Sequence, residues 1–181
     1  MRNKGTLLKE LYTNISTTGA ITFSSKPLVD KMLSYADFKG VKTIVELGGG
    51  DGSITAGIVD KMEKDAILLV FEVNEYFCKE MEKMYPQTNI QIINDSAANI
   101  DKYLNGEKAE LILSSLPFSL IDKPTRKEIC EKSRDNLALD GKFIQICYSY
   151  LLKYQFKNYF KDIQTHFTLK NFPPAFVMVC N

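Results

Sequence analysis

Val45-Glu46-Leu47-Gly48-Gly49-Gly50-Asp51-Gly52-Ser53 is the stretch on which the reading of this chain turns. It closes a β-branched run, Lys42–Leu47 (KTIVEL), and opens a segment, Ser53–Met62, whose Ile54, Ile58, Val59 and Met62 fall on one helical stripe. A strand, a glycine turn and a helix in that order let the backbone bend sharply at the strand tip and approach a ligand closely.

Outward from that turn, short apolar runs alternate with segments of helical period, the pattern of a parallel α/β sheet. Ala66–Glu72 (AILLVFE) reads as a second strand, apolar as a strand covered on both faces is. Glu75–Met84 reads as a helix ended by Pro86, Asn89–Asn94 as a third strand and Ala109–Ser115 as a fourth. Asp122 and Pro124 open a helix to about Leu137. Asp140-Gly141 reads as a turn into a fifth strand, Lys142–Tyr150. A helix near Lys153–Asp162 follows, and then two strands flanking Asn171-Phe172-Pro173-Pro174, expected to pair as an antiparallel hairpin at the sheet edge. Ahead of the sheet, Ser25 caps a helix to about Tyr35, with Pro27 in its first turn and Leu28, Val29, Met32 and Leu33 facing inward. Gly5–Ile15 carries a further apolar stripe. The expected organisation is N-terminal helices over 1–38 and one α/β domain over 39–181.

The length suits one domain with its own core. A formal net charge of +1 provides no global field for nucleic acid, so affinity for RNA or an anionic membrane would need a local patch. The N-terminus shows no secretory pattern, and runs such as Ala66–Phe71 are far shorter than the roughly 20 residues that span a bilayer. A reduced, cytoplasmic location is expected, with peripheral contact at the inner membrane surface as an extension of it. Cys78, Cys130, Cys147 and Cys180 form no C-x-x-C pair, and Cys130, Cys147 and Cys180, among apolar neighbours, read as buried thiols. His166 has no Cys or His at ligand spacing, so no metal is expected and a structural role is the plainer reading.

The glycine turn is not that of a dinucleotide site. Such a site wants Gly-x-Gly-x-x-Gly or Ala with a pyrophosphate on the helix N-terminus. Gly48 and Gly50 fit, but Ser53 holds the third small position, and Asp51 within the turn would repel a pyrophosphate. A cofactor with a cationic sulfonium and ammonium suits that charge better, and Glu46 adds a second acid nearby. Glu72 ends the second strand about 20 residues on, where ribose hydroxyls need an acceptor. Asn94-Asp95 ends the third strand, beside the backbone of Ile93 and Ser96, placed to receive an adenine amino group.

VELGGGDGSIT, EVNEYF and NDSA together resemble the motifs of the class I S-adenosylmethionine-dependent methyltransferases. The resemblance implies a Rossmann-like fold: a mostly parallel seven-stranded sheet with a late antiparallel edge strand and helices on both faces. It also implies that Gly48, Gly50 and Gly52 line the methionine and ribose, Glu46 faces the methionine part, Glu72 holds the ribose and Asp95 the adenine, with Asp51, Asn94 and Ser114 beside them.

The fourth strand runs into Ser114-Ser115-Leu116-Pro117-Phe118. Amino-methylating branches of this superfamily carry Asn/Asp-Pro-Pro-aromatic or Asn-Leu-Pro-aromatic here. Backbone carbonyls and a side-chain oxygen hold the amine lone pair in line, and the aromatic packs over it. Ser115-Leu116-Pro117-Phe118 is similar to the second form, with serine in place of asparagine. Gly19–Ser25 (GAITFSS), Ser114–Ser119, Asn171–Val177 (NFPPAFV) and, more loosely, Phe143–Tyr148 (FIQICY) extend the resemblance to the bacterial phospholipid N-methyltransferases. Members of that family carry proline where Phe23 stands, and often one in the glycine loop where this chain has Gly49. The resemblance implies stepwise methylation of the amino group of phosphatidylethanolamine, with Tyr148 near the amine or phosphate. Membrane contact would fall to the Gly5–Ile15 helix, with Arg2, Lys4 and Lys9, which reads equally as a lid packed on the domain's own core, and to Lys153, Lys157, Lys161 and Lys170, which read equally as a solvated face. The alternatives are an RNA adenine N6-methyltransferase, a small-molecule or protein methyltransferase, and a non-catalytic Rossmann module.

Overall fold

Alternation along β1 (Thr43–Leu47) decides what packs on each side of the sheet. Val45 and Leu47 enter one apolar cluster with Phe71, Ile112, Phe143 and Phe156. Ile44 enters the other with Leu68, Val70, Ile144 and Met81, and Glu46 points the same way. The computed structural model describes residues 24–169, 171 and 173–181. The Gly5–Ile15 helix and the Gly19–Phe23 part of the pre-sheet motif lie outside the described residues.

In chain order the elements are α1 (Lys26–Leu33), β1, α2 (Ser53–Val59), β2 (Ile67–Phe71), α3 (Glu75–Met84) and β3 (Ile90–Ile93). A 3-10 turn (Ala97–Lys102), β4 (Ala109–Ser114), α4 (Lys123–Asp135), β5 (Leu137–Cys147), α5 (Leu152–Phe156), β6 (Ile163–Thr168) and β7 (Ala175–Cys180) follow. The seven strands lie in the order β3-β2-β1-β4-β5-β7-β6. The first five are mutually parallel, and β7 runs antiparallel between β5 and β6. The expected late hairpin is therefore present, and it carries β7 into the sheet while β6 takes the edge.

Helix α1 belongs to the same body as the sheet. Leu28, Val29, Met32 and Leu33 are buried against the α2 face, and each such side chain contributes about 1.5–3 kcal/mol by leaving water. Contact with α2 is close enough that a Cβ on Gly57 would lie 2.5 Å from Leu33 Cδ1. The other end of this segment is tied down from far along the chain: the Ser25 N–H donates to Asn171 Oδ1 at 3.2 Å, and Asn171 Nδ2 donates to the Pro173 carbonyl at 2.9 Å. Two stretches that carried the family resemblance, one ahead of β1 and one between β6 and β7, thus meet in space.

Two elements differ from expectation. Asp140-Gly141 is not a turn before β5, because the strand starts at Leu137 and runs through it. The β4–β5 register shifts between Ala109 and Leu111, and a Cβ on Gly141 would come within 3.0 Å of the Ala138 and Glu110 carbonyl oxygens. Glycine here accommodates a bulge inside a strand. The helix expected at Lys153–Asp162 is the short α5, ending at Phe156 because Phe156 and Phe160 fold back onto Phe143.

Candidate active site

Strand order reverses between β1 and β4: the chain runs outward through β2 and β3, then crosses back to lay β4 on the other side of β1. A crevice opens at the carboxyl ends of the strands at such a switch point. Here it brings together the two motifs that the sequence singled out. The Ser115 N–H donates to the Leu47 carbonyl at 3.0 Å, and Ser115 Oγ donates to the Gly48 carbonyl at 2.8 Å.

The turn after β1 needs glycine for two separate reasons. Gly48, Gly50 and Gly52 have φ of 88°, 53° and 80°, in the left-handed region. Gly48 is also crowded: a Cβ there would lie 3.1 Å from Ser115 Oγ and 3.2 Å from Leu116 Cδ2. Asp51 is exposed and accepts from the Ser53 N–H at 3.1 Å and the Ser53 hydroxyl at 2.7 Å, next to Gly52, the N-cap of α2.

A cavity of about 480 Å³ runs from Gly48–Asp51 over Ser115–Phe118 to Tyr148 and Leu151. A narrow groove with about 30 Å³ of room lies alongside, bounded by Glu72, Asp95, Ser96 and Ile121. Gly48, Leu116 and Pro117 line both and form the wall between them. Of the residues singled out from sequence, Gly48, Gly50, Asp51, Ser115, Leu116, Pro117, Phe118 and Tyr148 line the larger cavity, and Glu72 and Asp95 the groove.

The Glu72 carboxylate is held from both sides. Its Oε2 accepts from the Gly50 N–H at 2.9 Å and its Oε1 from the Asn74 N–H at 2.7 Å. Burial raises its pKa, and these backbone bonds work against that rise. Asp95 accepts from the Ser96 N–H at 2.7 Å, Asn99 Nδ2 at 2.8 Å and the Tyr103 hydroxyl at 2.9 Å. Burial would raise the Asp95 pKa, but these donors outweigh it and hold the carboxyl below its ordinary value.

Four expected contributors sit elsewhere, among them Gly52, which lines neither cavity and whose carbonyl accepts from the Tyr85 hydroxyl at 3.3 Å. Glu46 does not line the cavity: it is fully buried beneath the glycine turn, where its Oε2 accepts from Thr55 Oγ1 at 2.7 Å. Position 46 is one residue out of phase with Leu47, so its side chain enters the α2 face of the sheet. Asn94 joins strand ends, donating to the Glu72 carbonyl at 3.0 Å and to Cys78 Sγ at 3.4 Å. Ser114 is buried and accepts from the Leu116 N–H at 3.4 Å. His166 is also away from the cavity lining, stacked on Tyr35 with centroids 4.1 Å apart.

Burial pushes the Glu46 carboxyl up to about 8; the Thr55 hydrogen bond opposes this, while the charges of Glu72 and Asp51 add to it. At neutral pH this residue therefore holds a proton and adds no negative charge to the turn. Linkage gives a sign. The folded state keeps a proton that the unfolded chain releases near 4.5, so stability is full below that value and falls as pH rises through about 8. Glu46→Gln has no such proton to lose. It is expected to flatten the decline, which otherwise removes about 1.4 kcal/mol for each pH unit it spans, and to be the more stable form at alkaline pH. Urea titrations of both forms across this range test it; an equally steep decline in the variant would place the titration on another group.

Sequence reasoning missed Arg126, Gln145 and Gln155. Arg126 and Gln155 line the cavity. Gln145, fully buried, donates through Nε2 to the carbonyls of Leu116, at 3.0 Å, and Ile146. A polar residue amid the apolar run of β5 was the available signal for Gln145; nothing local marks the other two.

No family model matches the chain. It is 24% identical over 148 residues to an ornithine lipid N-methyltransferase of Singulisphaera acidiphila, covering 79% of this chain and 77% of that protein. It is 28% identical over 104 residues to the ribosomal RNA small subunit methyltransferase A of a Hydrogenobaculum species, covering 58% of this chain and 39% of that longer protein. Among solved structures it superposes on the 1,6-didemethyltoxoflavin N1-methyltransferase of Burkholderia thailandensis, solved with S-adenosylhomocysteine bound. The TM-score is 0.73 at 11% identity, over 97% of this chain and 87% of that one. Strand order and relatives together define a class I methyltransferase, and enzymes of this class take the transferred methyl group from S-adenosylmethionine. Within the class the chain is similar both to a lipid-directed N-methyltransferase and to an RNA-directed enzyme.

Proposed function

We propose that the chain methylates the amino group of an amine-bearing lipid such as phosphatidylethanolamine or ornithine lipid. The observation that carries this reading is the cavity that joins the glycine turn to the acceptor loop and opens among exposed apolar side chains. Leu120 and Tyr148 at its mouth are each 47% exposed, and Leu151 is 67% exposed. An apolar opening of this kind suits an acceptor whose reactive amine is carried on an apolar body. The match to the ornithine lipid enzyme over most of both chains supports it.

The residues at the strand tips fit the cofactor. Gly48 leaves no side chain between the turn and Ser115, Asp51 supplies a charge suited to a cation, and the doubly anchored Glu72 presents a fixed carboxylate for ribose hydroxyls. We assign the adenine amino group to Asp95 and the Ser96 backbone, which line the groove beside Glu72. Bound S-adenosylmethionine supplies a methyl group on positively charged sulfur, so the protein's task is chiefly proximity and alignment.

Ser115 is the group we assign to the acceptor amine. Its hydroxyl proton is committed to the Gly48 carbonyl, which directs its lone pairs elsewhere. The Leu116 carbonyl, expected from sequence to share this role, already accepts from the Phe118 N–H at 2.9 Å and from Gln145. Phe118 packs into the core edge-to-face on Phe156, 5.3 Å between centroids, and so stiffens the loop rather than covering the amine.

An RNA adenine acceptor is the competing reading, favoured by the ribosomal RNA methyltransferase relative. Incubation with labelled S-adenosylmethionine separates the two. The lipid reading expects label in the organic extract with phosphatidylethanolamine or ornithine lipid vesicles. Label found in RNA alone would reject it.

A further inference from the structure

We propose that Arg126 is the anion-binding residue of the acceptor site, holding the phosphate or carboxylate of a zwitterionic amine lipid while Ser115 receives its amine. This rests on the lipid reading above and narrows it to acceptors that carry an anion a few bonds from the amine.

Charge is distributed unevenly along the cavity. Among the described residues that line it, Asp51 and Arg126 are the charged ones, and they belong to opposite parts of the site. Asp51 belongs to the glycine turn, the cofactor half. Arg126 belongs to the first turns of α4, where its N–H donates to the Asp122 carbonyl at 2.9 Å. Its side chain reaches back to the acceptor loop, with Nη1 donating to the Phe118 carbonyl at 3.0 Å. A guanidinium carries five N–H donors in a planar fork that matches phosphate and carboxylate geometry, and Phe118 takes one of them. A cation beside apolar walls is costly unless an anion accompanies it, and a ligand headgroup would bring that anion.

The spacing is right for one small headgroup. Phe118 is three residues past Ser115, a path of at most about 10 Å when extended. The Phe118 N–H to Leu116 carbonyl bond folds that path shorter. Two carbons and an oxygen separate amine from phosphorus in an ethanolamine phosphodiester, and four carbons separate the side-chain amine from the carboxyl carbon in an ornithine headgroup. In the proposed pose the amine sits at Ser115 and either anion at Arg126, with the acyl chains leaving past Leu120 and Leu151, all lining one cavity.

The full chain and its Arg126→Gln and Arg126→Lys variants are assayed on three acceptors: phosphatidylethanolamine vesicles, ornithine lipid vesicles, and a long-chain primary alkylamine without an anion in neutral micelles. Arg126→Gln is expected to raise KM for the zwitterionic lipid about tenfold or more, the loss of one charge-assisted contact. The preference in kcat/KM for that lipid over the alkylamine falls with it, and Arg126→Lys, which keeps the charge, recovers most of both. The lipid that the native chain prefers identifies the anion as phosphate or carboxylate. An unchanged KM, or a loss shared equally by the alkylamine, overturns the assignment and makes Arg126 a brace between α4 and the loop. A native chain that methylates none of the three while binding S-adenosylmethionine overturns the lipid reading itself.

Discussion

Gly48→Ala is expected to lower methyl transfer by about 100-fold or more, a loss of the size that an ångström's misplacement in an aligned site produces. Two effects act together. A φ of 88° is a conformation that an L side chain adopts only with strain, about 1–2 kcal/mol in the left-handed region. The new methyl would also press on Ser115 Oγ and Leu116 Cδ2, at 3.1 and 3.2 Å. Those atoms belong to the acceptor loop and to the wall between the two cavities, so the displacement misaligns donor and acceptor at once. Gly50→Ala is the internal control. Its φ of 53° is also positive, but a Cβ there meets nothing within 4 Å. Single-turnover rates for the two variants separate crowding from backbone strain. Equal losses would mean that only the turn's conformation matters.

Glu72→Ala is expected to weaken S-adenosylmethionine binding by about 100-fold or more, on the scale of two charge-assisted hydrogen bonds at about 1.5–3 kcal/mol each. The same change releases the Gly50 and Asn74 N–H groups that the carboxylate now pins, so the turn loosens as the ribose acceptor is lost. Glu72→Gln recovers only part of this. Its amide keeps one oxygen but must set an NH2 group against either the Gly50 or the Asn74 N–H, donor against donor. Calorimetric titration of the three forms decides the matter. An affinity untouched by Glu72→Ala would show that the ribose is held by other groups.

Much of the site was legible because it depends on local chemistry. Glycines at a strand tip, an acid at the end of each of the next two strands and the Leu-Pro-Phe loop after β4 are contiguous signals, and the parallel sheet gathers them at one edge. The failures have a common origin. From sequence Glu46 is a charge on the turn, yet strand alternation sends it inward and burial raises its pKa to about 8. Asp140-Gly141 has the form of a turn, but the neighbouring β4 carries the strand through it as a bulge. Arg126 carries no local mark, since it owes its place to contact with a loop 8 residues away; Gln145 is marked only as a polar residue in an apolar run, and its partner lies 29 residues away.

By itself the sequence determined the class of fold, the position of the glycine turn and the order of the strands along the chain, because periodicity, turn chemistry and side-chain charge act over a few residues. Only the tertiary structure decided which acids face the cavity, which carbonyl of the loop after β4 is already engaged and which cation lines the cavity. Those outcomes depend on how the strands align side by side and on what water is excluded, and neither is written in any single segment.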